Sequence, residues 1–491
     1  MTCHLCSESQ LQENTHIAWT DHDGNEYCIL HAPSEHKTIG QKDFNDLIFH
    51  IIKKAADNDQ WCDLSKTIFP WEIKFSNRSI GHKTPVLDFS EATFKSDLYF
   101  VDLSTKNRLI ISNATFEQNL VFHGVDIEDW SDFAHIACDG EVRFQHCKTI
   151  DTASFNSATF RKTVVFRNVN FKNETDFSLA TFKGSVTIES TRFLNESRFG
   201  QTKFEKQVTI DDSTFDKTEF IGTNFIGRAS FRDLYFFGDT TFLCARFKEK
   251  SIFYNCKTSK YKLSFDEIKI AADKNITFSR MDMSNSTFLF TNVDKIRFHN
   301  VTWQLSPDGA RHVSPIESNL QGNHDKNFRD ISEEVLQDTI NFYRQMKKKA
   351  RDTFDDEEAS RWHYSEKELR LYKLRNSNNL SFQRIILETY RTISRYGEDP
   401  LQAAEVLFYL ALLLLASLAL GGLYALGEPP FDITASRVAK GLRAFAQYAL
   451  FMKPDWSPPA FFDFIAILLS RLLIPIQAAI FAFALRNKLH R

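Results

Sequence analysis

The chain has 491 residues, and its 60 Lys and Arg nearly balance its 63 Asp and Glu, for a formal net charge of −3. That length suggests several domains, and the balanced charge gives no global nucleic-acid signal. Its 8 cysteines are scattered, which argues against a secreted disulfide framework.

The opening stretch, MTCHLCSESQ, has no basic region followed by an apolar run, so no signal peptide is expected. Residues 1–40 carry the sharpest local chemistry. Cys3 and Cys6 form one C-x2-C pair, and Cys28 and His31 form a C-x2-H pair. Between them Asp23-Gly24 marks a hairpin turn. Three thiolates and one imidazole suit tetrahedral Zn²⁺, and each short spacing lets two ligands clasp one ion. A segment this short has no apolar core, so the metal would supply its folding energy. The expected ligands are Cys3, Cys6, Cys28 and His31, in a structural zinc knuckle; four protein ligands leave no open position for catalysis. His4, His16, His22 and His36 are read as surface residues.

Residues 41–66 read as one amphipathic helix and a tail. Phe44, Leu47, Ile48, Ile51, Ile52 and Ala55 share a face. Such a helix would cap the open end of a repeat domain starting at residue 67, which otherwise exposes unpaired backbone.

Residues 67–303 are dominated by a repeat. From Phe89, steps of eleven meet Phe100, Ile111, Phe122, Phe133, Phe144, Phe155, Phe166, Phe177, Ile188, Phe199 and Ile210. A second series, five residues further on, runs from Phe94 to Phe215 with gaps at Thr105 and Thr149. Two positions before each large residue stands a small one, unbroken from Ala153 and Ala158 to Thr223 and Ala229. Steps of five and six drift around a helix and give no continuous face. A flat sheet would need strict alternation. A solenoid of short strands fits, with four faces and about 22 residues in each coil. Coils would rise by about 4.8 Å each.

On these two columns the chain resembles the pentapeptide-repeat family over roughly half its length. The resemblance implies a right-handed, four-sided (quadrilateral) β-helix, so the fold class is mainly β. The Asn-x-Ser/Thr sequences at Asn113, Asn195 and Asn300 then read as polar corners rather than glycosylation sites.

After Phe253 the spacing loosens through Phe265, Ile276, Phe288 and Phe298. Residues 304–328, with Pro307, Gly309, Pro315 and Gly322, read as a linker loop. Residues 329–400 turn helical. Ser332 followed by Glu333 and Glu334 is a plausible N-cap, and Leu336, Ile340, Tyr343 and Met346 form a stripe. A break near Asp355-Asp356 precedes a second helix through Ala359, Trp362, Tyr372 and Leu374, and a third covers residues 382–393. His363 and Glu366 are read as part of a solvated face. In membrane-bound members of the family a similar hairpin follows the rod, and the phrase from Arg395 to Pro400 resembles the lead into their spans.

Residues 401–491 form a candidate membrane hairpin. Residues 406–426 carry no formal charge and are long enough to cross a bilayer. Residues 464–485 are a second candidate, interrupted by Arg471 and Pro475. Arg471 is costly there unless it snorkels, pairs or faces water, and Asp463 is a candidate partner. Arg384, Arg391 and Arg395 precede the hairpin and Arg486, Lys488 and Arg491 end it, which places both ends in the cytoplasm. That agrees with a thiol-rich knuckle, which needs a reducing compartment. The connecting loop carries Arg437, Lys440, Arg443 and Lys453, while Val438, Leu442, Phe445, Ala449 and Met452 share a helical face followed by Trp456. It would lie in the interface or dip inward as a pore helix, as in family members that look like two-span channels. No T-V-G-Y-G filter is present.

No Walker loop, G-x-S-x-G, H-E-x-x-H or dinucleotide fingerprint occurs, so no enzyme is expected. DNA mimicry toward topoisomerases, known in soluble relatives, needs a strongly acidic rod; this one mixes acids with Lys203, Lys206, Arg228, Arg232, Lys248 and Lys250. The leading expectation is a membrane-anchored scaffold in a bacterial inner membrane, with the rod facing an unnamed cytoplasmic protein and no nucleic acid. The alternative is a homo-oligomeric ion channel gated by its rod.

Overall fold

The computed structural model describes residues 3–6, 17–258, 260–322, 332–376, 381–425, 443–448, 450, 452–453 and 460–489. The expected surface role of His16, the pore-type loop around Arg437, Val438, Lys440, Leu442, Ala449 and Trp456, and the tail residue Arg491 lie outside them. Two compact units emerge: Met1–Gln304 with Ser314–Gly322, and Leu305–Val313 with Asn323–Arg491.

The first unit is a right-handed β-solenoid of about 11 turns. Its strands of two to four residues build four parallel sheets of 11, 10, 11 and 8 strands. Register follows the repeat: Leu98 pairs with Leu120, and Leu120 with Val142. The small positions that precede the large ones all turn inward, from Ala153 and Val164 to Thr223 and Ala229. Several of the polar ones donate to nearby carbonyls, as Thr202 Oγ1 does to Phe177 O at 2.7 Å and Thr223 Oγ1 to Phe199 O at 2.6 Å, whereas the buried Thr175 hydroxyl has no partner among the described residues.

The eleven-residue series is two stacks facing each other across the core. Rings one full coil apart lie parallel, as in Phe122–Phe144 (4.4 Å, 4°) and Phe155–Phe177 (4.7 Å, 2°). Rings eleven residues apart meet edge to face, as in Phe122–Phe133 (5.5 Å, 87°). Both arrangements suit the ring quadrupole. The gap at Thr105 is a buried polar side chain, which accepts from Asn107 N at 3.0 Å. The gap at Thr149 closes: Ile150 stands opposite Ile127 and is fully buried, because this coil carries one extra residue. Two corners of each coil use left-handed backbone, at Asn113, His135, Ser157 and Leu179 on one edge and Asp102, His146, Asn168 and Ser190 on the other. At Gly184 the preceding coil passes so close that a Cβ would lie 2.2 Å from Lys162 O.

Helix α1 (Gln41–Asp57) buries Phe44, Ile48, Ile51, Ile52, Ala55 and Ala56. Phe44 meets Phe69 edge to face at 5.9 Å, and Phe49 meets Phe75 at 6.1 Å, so the helix covers the rings of the first coil. The first coil opens at Cys62, inside the expected tail, because Cys62 and Asp63 pair with Leu87 and Asp88. A one-turn helix, α2 (Asn77–Ile80), replaces part of this coil and is closed by a Ser76–Ser79 capping box. The last coil ends on Trp303, packed against Phe298 at 5.3 Å. The expected loop holds a helix, α3 (Pro315–Gly322), with Pro at its first position, where no N–H is needed.

The second unit is helical. Helices α4 (Glu333–Asp352) and α5 (Asp356–Asn376) form a hairpin, followed by α6 (Phe382–Ser394). Ser332 caps α4, accepting from Val335 N at 3.3 Å. On α5 the buried positions are Leu369 and Leu371 rather than Tyr372 and Leu374, which are half-buried. Glu366 is not on a solvated face. Its side chain is 3% exposed, because it turns inward to Lys347 and Arg344 of α4 and to Arg370 one turn on. The segment Leu305–Val313 joins this unit: Ser365 Oγ donates to His312 O at 2.6 Å, and the His312 ring lies 4.2 Å from Trp362.

Helix α7 (Pro400–Ala425) packs against a second apolar run made of α8 (Ala460–Leu468), a π-helical turn (Leu469–Leu473) and α9 (Ile474–Leu489). Both runs are long and apolar enough to cross a membrane. Leu414, Leu418, Tyr448, Ala466 and Leu469 form their shared cluster. Gln477 is buried and donates to Ala403 O at 2.8 Å. Arg471 sits in the π turn and is exposed. It makes no ion pair with Asp463 among the described residues; the Asp463 carboxylate instead accepts from the Tyr448 hydroxyl.

Candidate metal centre

Three short segments bring the four N-terminal donors together. Strands β1 (Ile17–Thr20) and β2 (Glu26–Cys28) form an antiparallel hairpin that delivers Cys28. Its turn is fixed by Asp21, whose carboxylate accepts from Asp23 N, Asn25 N and Tyr27 Oη. Gly24 supplies the left-handed residue (φ 85°). After Cys28 the chain makes a tight turn, with His31 N and Ala32 N both donating to Cys28 O, which swings the imidazole back toward the thiol. The segment with Cys3 and Cys6 is held alongside by His4 N donating to Glu26 O at 2.7 Å.

The donor atoms of Cys3, Cys6, Cys28 and His31 all lie within 4.8 Å of one another. His31 Nδ1 is 3.3 Å from Cys3 Sγ, 3.5 Å from Cys6 Sγ and 3.3 Å from Cys28 Sγ, and the Cys6 and Cys28 sulfurs are 3.5 Å apart. A tetrahedral ion with bonds of about 2.3 Å to sulfur and about 2.0–2.1 Å to nitrogen requires donor separations of about 3.5–3.8 Å. The observed separations lie at or slightly below that range, so a small outward shift of the side chains would let the cluster hold one metal ion with all four positions filled by protein.

The surroundings fit the same purpose. His31 Nε2 lies 3.2 Å from Ser65 O, so this nitrogen carries the proton and Nδ1 keeps its lone pair toward the sulfurs. That outer bond is the usual device for orienting a ligating imidazole. It also ties the cluster to the first coil, as does Ile68 N donating to Leu30 O at 2.9 Å. The hydrogen bond from Cys6 draws the Cys28 thiol down to about 3, against its burial, and the same bond pushes Cys6 up. Burial pulls the His31 imidazole down, but the hydrogen bond and charge of Cys28 outweigh it, and the net shift is upward. Of these groups the Cys28 thiol is the one driven toward its thiolate, the form in which a cysteine ligates a metal ion.

Ser65 and Lys37 are partners that no local spacing announces. Lys37 Nζ donates to Ile29 O and Leu30 O and lies 4.8 Å from the Phe44 ring, which joins the ligand turn to α1. Burial pulls its ammonium down to about 7.

Residues 166–214 match the family model described as pentapeptide repeats (9 copies), and that stretch lies within the coils described above. No curated protein matches the chain.

Proposed function

We propose that this chain is a membrane-anchored scaffold that presents its solenoid to a cytoplasmic protein partner and performs no chemistry of its own. The observation that carries this reading is the pair of apolar helical runs, Pro400–Ala419 and Ala460–Leu489, most of whose side chains face outward. Phe408, Tyr409, Leu413, Phe461 and Phe464 are each more than half exposed. In water such a surface would be a large apolar liability; in a bilayer it is the required face. The solenoid core is filled by its own rings, so a partner meets only the outer faces, whose residue types the repeat leaves free. Basic residues at both ends of the hairpin support cytoplasmic termini, in a bacterial inner membrane.

Zn²⁺ is the ion that best suits three thiolates and an imidazole in a closed tetrahedron. The residues that would hold it are Cys3, Cys6, Cys28 and His31, and its part would be to fix the fold of residues 1–40 against the first coil.

Alkaline carbonate extraction of membranes from cells making the full chain tests the anchor. Recovery in the membrane pellet is expected, and release into the supernatant would overturn the reading. Metal analysis of the purified chain should give one zinc per chain. Zinc that survives Cys28→Ser undiminished would contradict the ligand set.

A further inference from the structure

The helical unit contains a cavity of about 450 Å³ that neither the hairpin nor the spans explain. Its wall is made by the end of α4, the first half of α5, Tyr390 of α6 and the end of α9. Three cations line it: Arg351, Lys367 and Arg486. None of them has a carboxylate partner among the described residues. Elsewhere in this unit the cations pair readily, as Arg344, Lys347 and Arg370 do with Glu366.

The neutral groups on the wall are also donors. The Nδ1 atom of His363 faces the Lys347 ammonium at 3.5 Å, which leaves its Nε2–H as a free donor. Burial, together with the charges of Lys347 and Lys367, pulls His363 down to about 4, so the ring is neutral at physiological pH. The Tyr390 hydroxyl has no hydrogen-bond partner among the described residues. Two carboxylates are present, Asp356 and Glu398, and Glu398 already accepts from the Ser360 hydroxyl. The wall therefore offers five donors toward one space. Only a ligand with several acceptor oxygens and negative charge satisfies them together.

The position narrows the ligand. Arg486 stands where the apolar run of α9 ends, over the ring of Phe483 at 4.9 Å. If α9 spans a bilayer, that is the depth of the lipid phosphates, and basic pockets at this depth take anionic headgroups. We propose that this cavity binds a phosphate group, supplied by the headgroup of an anionic phospholipid. The lipid source rests on the membrane reading above; the phosphate chemistry does not.

The test uses the full chain in lipid nanodiscs of phosphatidylcholine, alone or mixed with phosphatidic acid, with retained lipid counted by native mass spectrometry. A second arm measures thermal unfolding in neutral detergent with and without inorganic phosphate. Phosphatidic acid retention should fall about a hundredfold in Arg351→Gln/Lys367→Gln/Arg486→Gln, at about fivefold for each cation removed from near a lipid surface. Arg351→Gln/Arg486→Gln, which alters only two exposed residues, should show part of the loss with the fold intact. Lys348→Gln, exposed and outside the cavity, should show none. Stabilisation by inorganic phosphate that disappears in the triple variant supports the phosphate site even if the chain fails to enter discs, which would sink only the anchor. Equal lipid retention by the triple variant and the unaltered chain, with no response to inorganic phosphate, overturns the proposal.

Discussion

The solenoid and the segments that precede and follow it in sequence hold themselves together by opposite means. The solenoid spreads its stability over dozens of equivalent rings, each touching the coil before and the coil after. Most of its ion pairs stay on the surface, as Arg161–Asp139 does with side chains 61% and 44% exposed. The N-terminal module concentrates stability in four donors around one point. The helical unit concentrates it in Glu366, a carboxylate 3% exposed among three cations. A repeat can lose one member and keep its pattern; a single buried centre cannot.

Breaking the metal centre should show the contrast most strongly. Cys28→Ser should abolish metal binding and unfold residues 1–40, because structural zinc contributes about 10–16 kcal/mol in small modules. Metal content and amide exchange would show it, with exchange in the coils from Phe133 onward unchanged. Glu366→Gln should destabilise the helical unit by about 3–5 kcal/mol, since it leaves three cations without their shared anion. Phe177→Ala should cost about 3–5 kcal/mol, but exchange should rise only in the coils that contain Phe155, Phe177 and Phe199.

The two regions should also differ in acid. Burial pushes Glu366 up, but its hydrogen bond from Lys347 and the nearby cations outweigh this and leave it below the usual carboxylate range. Its contribution is therefore full above about pH 4.3 and is lost as pH falls through the depressed value. His363, pulled down to about 4, refuses a proton that the unfolded chain takes up below about pH 6.5. Stability of the helical unit should thus begin to fall near pH 6.5 and continue to fall below pH 4. A titration followed by the fluorescence of Trp362 would record it, and a flat profile across that window would remove His363 from the account. The smallest effect belongs to the rod surface: Arg161→Ala should change stability by about 0–1 kcal/mol.

The same contrast decides what could be read from the chain before its structure. A repeat announces itself, so the four faces, the inward positions and the coil length follow from the spacing of Phe and small residues. Its interruptions are harder, because an inserted residue is located only by pairing across coils; Thr149 reads as a gap until Ile150 is seen opposite Ile127. Cys62 looks like the tail of a helix until its pairing with Leu87 makes it the first strand. The clustering of Cys3, Cys6, Cys28 and His31 was readable because their paired spacing is local. Ser65 and Lys37 were not, since a backbone carbonyl acceptor and a buried lysine leave no pattern. Glu366 was misread for a related reason: on α5 alone it stands among charges, and only α4 supplies the cations that bring it inside.

The central claim is that the solenoid lies on the cytoplasmic side of a membrane that the two apolar runs cross. It is tested most directly by placing a cysteine on an exposed face of the rod, as Lys248→Cys, and treating sealed vesicles of both orientations with a membrane-impermeant maleimide. Labelling at position 248 is expected in inverted vesicles without detergent, and in right-side-out vesicles only after detergent is added. Labelling in intact right-side-out vesicles would contradict it.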